Sequence, residues 1–230
     1  LHVRSRRQRQ MCIRDSDQLQ LDTPIVNFNG AFVHHPKDQS WGRFHTSLDL
    51  EVVKQIIEVS ETYNVHNILA EIVDDVYFHY HDEKLIDVFT MGSPNITVGD
   101  LRTNLGQDVT SVLIHAKEED VPAIRSYLSD VHAEMVDHRR WAAPWHVIEL
   151  IKSGINKAVG LEKITDYYGI PPERVIAFGD EDNDLEMLEF AGCGVAMGNG
   201  IEGVKSVANK VTKTNEEDGI AVFLKDYFAL

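Results

Sequence analysis

The stretch that most constrains this chain is Val175 to Asp184, which reads Val-Ile-Ala-Phe-Gly-Asp-Glu-Asp-Asn-Asp. Its four apolar residues, set between Pro172 and Gly179, predict a short strand buried on both faces, and the acidic run begins where that strand ends. In open α/β sheets ligands sit beyond the carboxyl ends of the parallel strands. Asp180, Asp182, Asn183 and Asp184 are therefore expected to project into the crevice where chemistry takes place. Oxygen donors this close together suit a hard cation such as Mg2+. Acids at the start of the next helix are also favoured by its macrodipole, which accounts for one or two carboxylates but not for so dense a cluster. The spacing of Asp180, Asp182 and Asp184 matches the opening of an EF-hand loop. That loop needs Gly at its sixth position and Glu at its twelfth, where this chain has Leu185 and Ala191.

The surroundings of this stretch alternate strictly between strand and helix after Gly154. Lys157 to Tyr168 is amphipathic and stops at Gly169, with Pro171 just beyond. The strand Val175 to Phe178, a helix from Asp184 to Ala191, the strand Gly194 to Met197, a helix from Ile201 to Ala208, the strand Lys210 to Thr212 and a last helix from Gly219 to Phe228 follow. Such alternation predicts a parallel sheet with helices on both faces. Upstream, Pro24 to Val33 reads as a strand, an Asn-Gly turn and a second strand. Ser47 is placed to cap a helix reaching Tyr63, with Val52, Val53, Ile56, Ile57 and Ser60 as its inward stripe. Asn67 to Ile72 and Val76 to Tyr80 are expected to pair, and Leu85 to Gly106 to be irregular or made of short elements. Thr110 to His115 then reads as a strand, Glu118 to Leu128 as a helix, and His132 to His138 and Trp145 to Ile151 as two strands. This organisation predicts an inserted α+β domain over residues 41–143, flanked by a core made of residues 17–40 and 144–230.

Charge narrows the partners. The chain has 230 residues, 43% of them hydrophobic, and a net charge of -15, so neither nucleic acid nor an anionic membrane is an expected partner. An acidic protein that handles an anion needs a local cation, either Mg2+ or a placed lysine. The two cysteines, Cys12 and Cys193, have no paired spacing, which excludes a disulfide framework and a cysteine zinc site and fits a reducing cytoplasm. No apolar run approaches the roughly 18 residues of a membrane span, and no apolar segment of a secretory signal is present. Residues 1–16 stand apart, with Arg4, Arg6, Arg7, Arg9 and Arg14 and no acid before Asp15. They read as a disordered basic arm or a segment foreign to the fold, similar to translated sequencing-adapter sequence, and are set aside.

Lys157 follows Ser153-Gly154-Ile155-Asn156 at a strand-to-helix junction. A lysine there is commonly a solvated surface residue, and it can equally neutralise a phosphate beside a metal. His79 and His81 alternate along a strand near Asp82, where surface or pocket histidines outweigh a metal site. His34 and His35 point to opposite faces if extended. Trp141 and Trp145 stand where the insert returns to the core and suit hinge packing or a substrate-contacting wall.

Taken together, Gly-Ile-Asn-Lys at 154–157, Gly-Asp-Glu-Asp-Asn-Asp at 179–184, Met-Gly-Asn-Gly at 197–200, Val-Lys at 204–205, Asn-Glu-Glu-Asp-Gly at 215–219 and Asn-Gly-Ala at 29–31 resemble the haloacid dehalogenase superfamily, specifically its Cof-type (subclass IIB) phosphatases with an α/β cap. The resemblance covers residues 19–230 in order. It implies a Rossmann-like doubly wound parallel sheet with an inserted cap domain, Mg2+ as cofactor and a small phosphorylated metabolite, a sugar or nucleotide phosphate, as substrate. It further implies Lys157 as the phosphate-neutralising catalytic lysine and Asp180 as a catalytic metal ligand. Asn183 and Asp184 are direct or indirect supports of the metal, and Asn29, Gly30 and Asn183 join Lys157 in binding substrate phosphate. In such enzymes an aspartate attacks phosphorus, and water hydrolyses the aspartyl-phosphate.

The chain departs from the family at its start. The nucleophile segment Asp-x-Asp-Gly-Thr is not visible, and Asp15-Ser16-Asp17 is followed by Gln18 with no apolar strand before it, so no residue is assigned as nucleophile. The expectation is an N-terminally truncated phosphatase that is inactive as written. The alternatives are a non-catalytic ligand-binding or regulatory protein on this scaffold, or a phosphotransferase or mutase.

Overall fold

The computed structural model describes residues 22–89, 94–141 and 146–230, which divide into two compact units, one ending at Ile155 and one beginning at Asn156. The basic segment 1–16, the Asp15–Asp17 motif and Trp145 lie outside the described residues.

The first unit opens with a three-stranded antiparallel sheet, β1 (Ile25–Asn27), β2 (Phe32–His34) and β3 (Arg43–His45). The turn between β1 and β2 takes Phe28, Asn29 and Gly30 in succession through positive φ, at 49°, 50° and 102°. Glycine adopts that region freely, whereas a phenylalanine there is strained. In this turn Ala31 N–H donates to the Phe28 carbonyl at 3.0 Å, and the Asn29 side-chain amide donates to Glu149 at 2.9 Å.

The rest of this unit is built on a six-stranded sheet. Its strands are β4 (Val65–Ile72), β5 (Asp75–Phe78), β6 (Asn95–Val98), β7 (Ser111–Ala116), β8 (Val136–Arg140) and β9 (Val147–Lys152), in the order β6-β5-β4-β7-β9-β8. All neighbours are antiparallel except β5 and β6. Because successive side chains face opposite ways, Ile68, Ala70 and Ile72 of β4 lie on one face with Val112 and Ile114 of β7 and Ile148 and Leu150 of β9. Helices α1 (Leu50–Ser60) and α4 (Val121–Val131) cover that face with Val53, Ile56, Ile57, Val121, Ile124 and Leu128. Leu69, Val76, Phe78, Leu113 and Val147 gather on the other face, against Leu85 and Phe89 of α2 (Glu83–Phe89). Each such side chain contributes about 1.5–3 kcal/mol on burial.

Two carboxylates of this unit gather donors from distant segments, as burial demands. Glu149 is 4% exposed and accepts from both Asn29 and the Trp141 indole, each at 2.9 Å. Glu61, just past α1, accepts from His79 at 2.8 Å, Tyr80 at 3.1 Å and Arg102 of α3 (Leu101–Asn104) at 2.7 Å.

The second unit is a parallel sheet of β10 (Ile176–Gly179), β11 (Cys193–Ala196) and β12 (Lys210–Val211), in that order, so β10 is an edge strand among the described residues. Its helices are α5 (Lys157–Tyr168), α6 (Leu185–Phe190), α7 (Glu202–Val207) and α8 (Gly219–Phe228). Ala177, Leu188, Ala191, Ala196 and Val204 form its core. Gly169, with φ 61°, ends α5 in the left-handed conformation, as its position after the apolar stripe predicts.

Several expectations need correction. The cap of α1 is Asp49, whose carboxylate accepts from Glu51 N–H at 2.9 Å and Val52 N–H at 3.2 Å, and not Ser47. The short elements expected between residues 85 and 106 are, among the described residues, the end of α2 followed by β6 and α3, with β6 pairing in parallel with β5. β9 pairs with both β7 and β8. β10 alternates between half-buried and buried positions instead of being buried on both faces, because Ala177 faces the core of this unit while Ile176 and Phe178 lie on the less covered face.

Burial lowers the pKa of His34, His45, His132 and His138 below the ordinary 6.5, with Arg43 and Arg125 adding to the effect at His34 and His138. The unfolded chain then binds more protons than the folded one below pH 6.5, so stability is fully present above that value and falls as the pH drops through the folded pKa values. Urea midpoints are expected to be flat from pH 8 to 7 and to decline below about 6.5, with a slope of at most about 1.4 kcal/mol per pH unit for each histidine. A midpoint independent of pH between 7 and 5 would show that these histidines titrate alike folded and unfolded.

Candidate active site

The three parallel strands end level with one another. Gly179 pairs with Ala196, and Ala196 with Val211, so the segments that follow each strand leave from one edge of the sheet. Asp180 comes directly after β10, the Met197–Gly200 turn after β11, and Thr212 to Asn215 after β12. Residues 19 and 35 positions downstream of Asp180 are thereby brought to its side chain.

Asp184 ties the site together. Its carboxylate is 6% exposed, with Oδ1 bonded to the Lys157 ammonium and Oδ2 accepting from the backbone N–H groups of Asp180 at 3.0 Å and Glu181 at 3.2 Å. A carboxylate this deep is tolerable only with a cation and donors on both oxygens. Gly179 makes the approach possible, since a Cβ there would overlap the Asp184 side chain. Lys157 is the first residue of α5, fixed by the Asn156 cap, whose side chain accepts from Val159 N–H at 3.1 Å. Asn183 lies half-buried in the short 3-10 turn Asp182–Asp184 between Asp180 and α6.

Asp180 is gripped from the far side. Its carbonyl accepts from Ile201 N–H at 3.0 Å, and its carboxylate Oδ2 accepts from the side-chain amides of Asn199 and Asn215, both at 3.2 Å. Asn215 N–H in turn donates to Asn199 Oδ1 at 2.8 Å. Gly200 lets this turn close over Asp180, because a Cβ there would stand 3.3 Å from the Asp180 Cα and 2.9 Å from the Met197 carbonyl. Burial, followed by the charges of Asp180, Asp182 and Asp184, pushes the Glu181 carboxyl above its ordinary pKa, although Lys157 opposes it. A cation at this loop would relieve that crowding.

Lys157, Asp180, Asn183 and Asp184 thus share one unit, whereas Asn29 and Gly30 belong to the other, where the Asn29 amide is held by Glu149. Asp184 acts in this structure as a brace, with a partner on each oxygen. Among the described residues no three His, Cys, Asp or Glu side chains converge into a metal cage. Mg2+ is usually held by one or two carboxylates, with waters and substrate oxygens completing its shell, so a single well-placed Asp180 suits it where an all-protein cage is missing. Sequence reasoning did not assign roles to Asn199 and Asn215. Their signal lay in the strings Met-Gly-Asn-Gly and Asn-Glu-Glu-Asp-Gly following two apolar strands.

The histidines serve the fold. Leu101 N–H donates to His79 Nδ1 at 3.2 Å, which leaves the proton on Nε2 to bond Glu61, so neither nitrogen is open to a metal. His34 stacks on Phe32 with centroids 4.6 Å apart, and His35 Nδ1 accepts from the backbone of Lys37 and Asp38. Trp141 donates to Glu149, which suits packing at the end of the insert.

The family described as haloacid dehalogenase-like hydrolase matches residues 3–224. The chain is 79% identical over 213 residues to 5-amino-6-(5-phospho-D-ribitylamino)uracil phosphatase YitU of Bacillus subtilis, covering 93% of this chain and 79% of YitU. It is 30% identical over 223 residues to pyridoxal phosphate phosphatase YbhA of Escherichia coli, covering 90% of this chain and 78% of that one. A haloacid dehalogenase-like hydrolase from Bacteroides thetaiotaomicron superposes with a TM-score of 0.80 at 26% identity over 95% of this chain and 82% of its own. The agreement of fold, motif and sequence over nearly the whole chain leaves one assignment: it belongs to the haloacid dehalogenase-like hydrolases, among their Cof-type phosphatases.

Proposed function

We propose that this chain carries the lysine and metal-binding half of a Mg2+-dependent phosphatase site acting on small phosphorylated metabolites, with residues 41–143 as the substrate-selecting cap. The first substrate to test is 5-amino-6-(5-phospho-D-ribitylamino)uracil, named for the 79% identical relative, and the second is pyridoxal phosphate. The observation that carries this reading is the joint hold of Asp184 on Lys157 and on the backbone of Asp180, which sets a cation and a carboxylate side by side at the carboxyl edge of a parallel sheet.

On this reading Lys157 places its positive charge against a phosphoryl oxygen, and the bond to Asp184 fixes its direction before substrate arrives. The backbone N–H groups of Asp180 and Glu181 are used by Asp184, so they keep the loop in shape and do not serve as phosphate donors. Mg2+, held by Asp180 with Asn183 beside it, would supply charge neutralisation at the transferring oxygens. Phosphoryl transfer in this family runs through an aspartate nucleophile and hydrolysis of the aspartyl-phosphate by water. None of the 230 residues offers that aspartate in an Asp-x-Asp-Gly-Thr setting.

Two outcomes are expected. The 230-residue chain should leave p-nitrophenyl phosphate intact in the presence of Mg2+, and hydrolysis abolished by Asp180→Asn or Lys157→Ala would place a nucleophile within it after all. A longer version with an N-terminal strand ending in Asp-x-Asp-Gly-Thr should hydrolyse the ribitylaminouracil phosphate. There Lys157→Ala and Asp180→Asn should each lower kcat/KM by about 100-fold or more, the usual scale for losing one group that stabilises transition-state charge. A panel of phosphorylated metabolites in which that longer version shows no turnover would remove the phosphatase reading.

A further inference from the structure

We propose that Asn199 and Asn215 are positioning residues that make Asp180 a one-oxygen ligand and so favour Mg2+ over Ca2+. This rests on the reading of Asp180 as a metal ligand. The two side-chain amides approach the same carboxylate oxygen, Oδ2, each at 3.2 Å. Among the described residues Oδ1 accepts no hydrogen bond. A carboxylate oxygen has two in-plane lone pairs, and at Oδ2 both are directed to amide donors. The carboxylate can neither spin nor offer both oxygens to one cation without losing these bonds.

The two asparagines are themselves coupled, since the Asn215 backbone N–H donates to Asn199 Oδ1 at 2.8 Å. Asn215 is further anchored by the capping box of the short turn it opens, in which Thr214 and Glu217 exchange hydrogen bonds. The grip on Asp180 is therefore part of two ordered turns and not a chance contact of exposed amides. Ca2+ takes six to eight oxygens and commonly a two-oxygen carboxylate, whereas Mg2+ requires a tight octahedron with one-oxygen carboxylates. A carboxylate tethered through Oδ2 meets the second demand and denies the first.

The test is direct metal binding to the full 230-residue chain, with Mn2+ followed by electron paramagnetic resonance as the probe and Mg2+ and Ca2+ as competitors. Asn215→Ala removes only a side-chain donor, because its backbone bond to Asn199 remains. It is expected to weaken Mn2+ binding about 10-fold, within the usual range for a lost outer partner of a ligand, and to let Ca2+ compete better relative to Mg2+. Asn199→Ala should act in the same direction. Melting midpoints taken alongside show that each variant is folded. Unchanged Mn2+ affinity in folded Asn215→Ala, or an equal loss for all three ions with their ratios intact, would overturn the proposal and leave the asparagines a purely structural role. If Asp180→Asn binds Mn2+ as well as the parent chain does, Asp180 is not a ligand. The underlying reading then falls, and the proposal with it.

Discussion

The candidate site depends on one nearly buried carboxylate. Asp184 holds Lys157 through one oxygen and the backbone of Asp180 and Glu181 through the other, so helix α5, strand β10 and the acidic loop are fixed by a single side chain. An unpaired carboxylate at that depth would cost several kcal/mol, and an unpaired ammonium beside it a comparable amount. Neither group is therefore free to move without the other. The arrangement is rigid because its parts are expensive to separate, and this gives a lysine and a carboxylate a set relation before any ligand binds.

Around this brace, backbone geometry does most of the positioning. Level strand ends bring the Asn199 and Asn215 turns to Asp180, and two glycines, Gly179 and Gly200, allow contacts that any side chain would block. The first unit follows a different logic. Its six-stranded sheet is apolar on both faces, so the runs Ile68-Leu69-Ala70 and Val112-Leu113-Ile114 serve two layers of core at once. The buried Glu149 in that interior is paired with donors from Asn29 and Trp141.

Much of this was legible in the sequence, and the parts that were not share a cause. Helices α5 and α8 have the predicted bounds, because apolar spacing and a terminating glycine or turn are local signals. The loop at 180–184 was recognisable because five oxygen-bearing residues after an apolar run have few structural explanations. Asp49 rather than Ser47 caps α1 although both residue types cap well, because only the backbone conformation separates them. In sequence β6 reads only as a short element because Asn-Ile-Thr-Val alternates over only four residues beside Pro94 and Gly99, and its place in the sheet comes from pairing with β5. Asn199 and Asn215 had no visible partner until the strands were aligned, since the distance from each to Asp180 is a property of sheet register and not of spacing along the chain.

The level ends of β10, β11 and β12 bear on how this part of the protein can change over time. Side chains alternate along a strand, so adding or deleting one residue within β11 would turn the Met197–Gly200 segment away from Asp180, whatever amino acids it held. The helical connections carry no such restriction, because their lengths do not set where the strands stop. Drift in this unit is thus channelled: exposed helix positions away from the site are open to substitution, while the strand lengths act as a fixed ruler for the site.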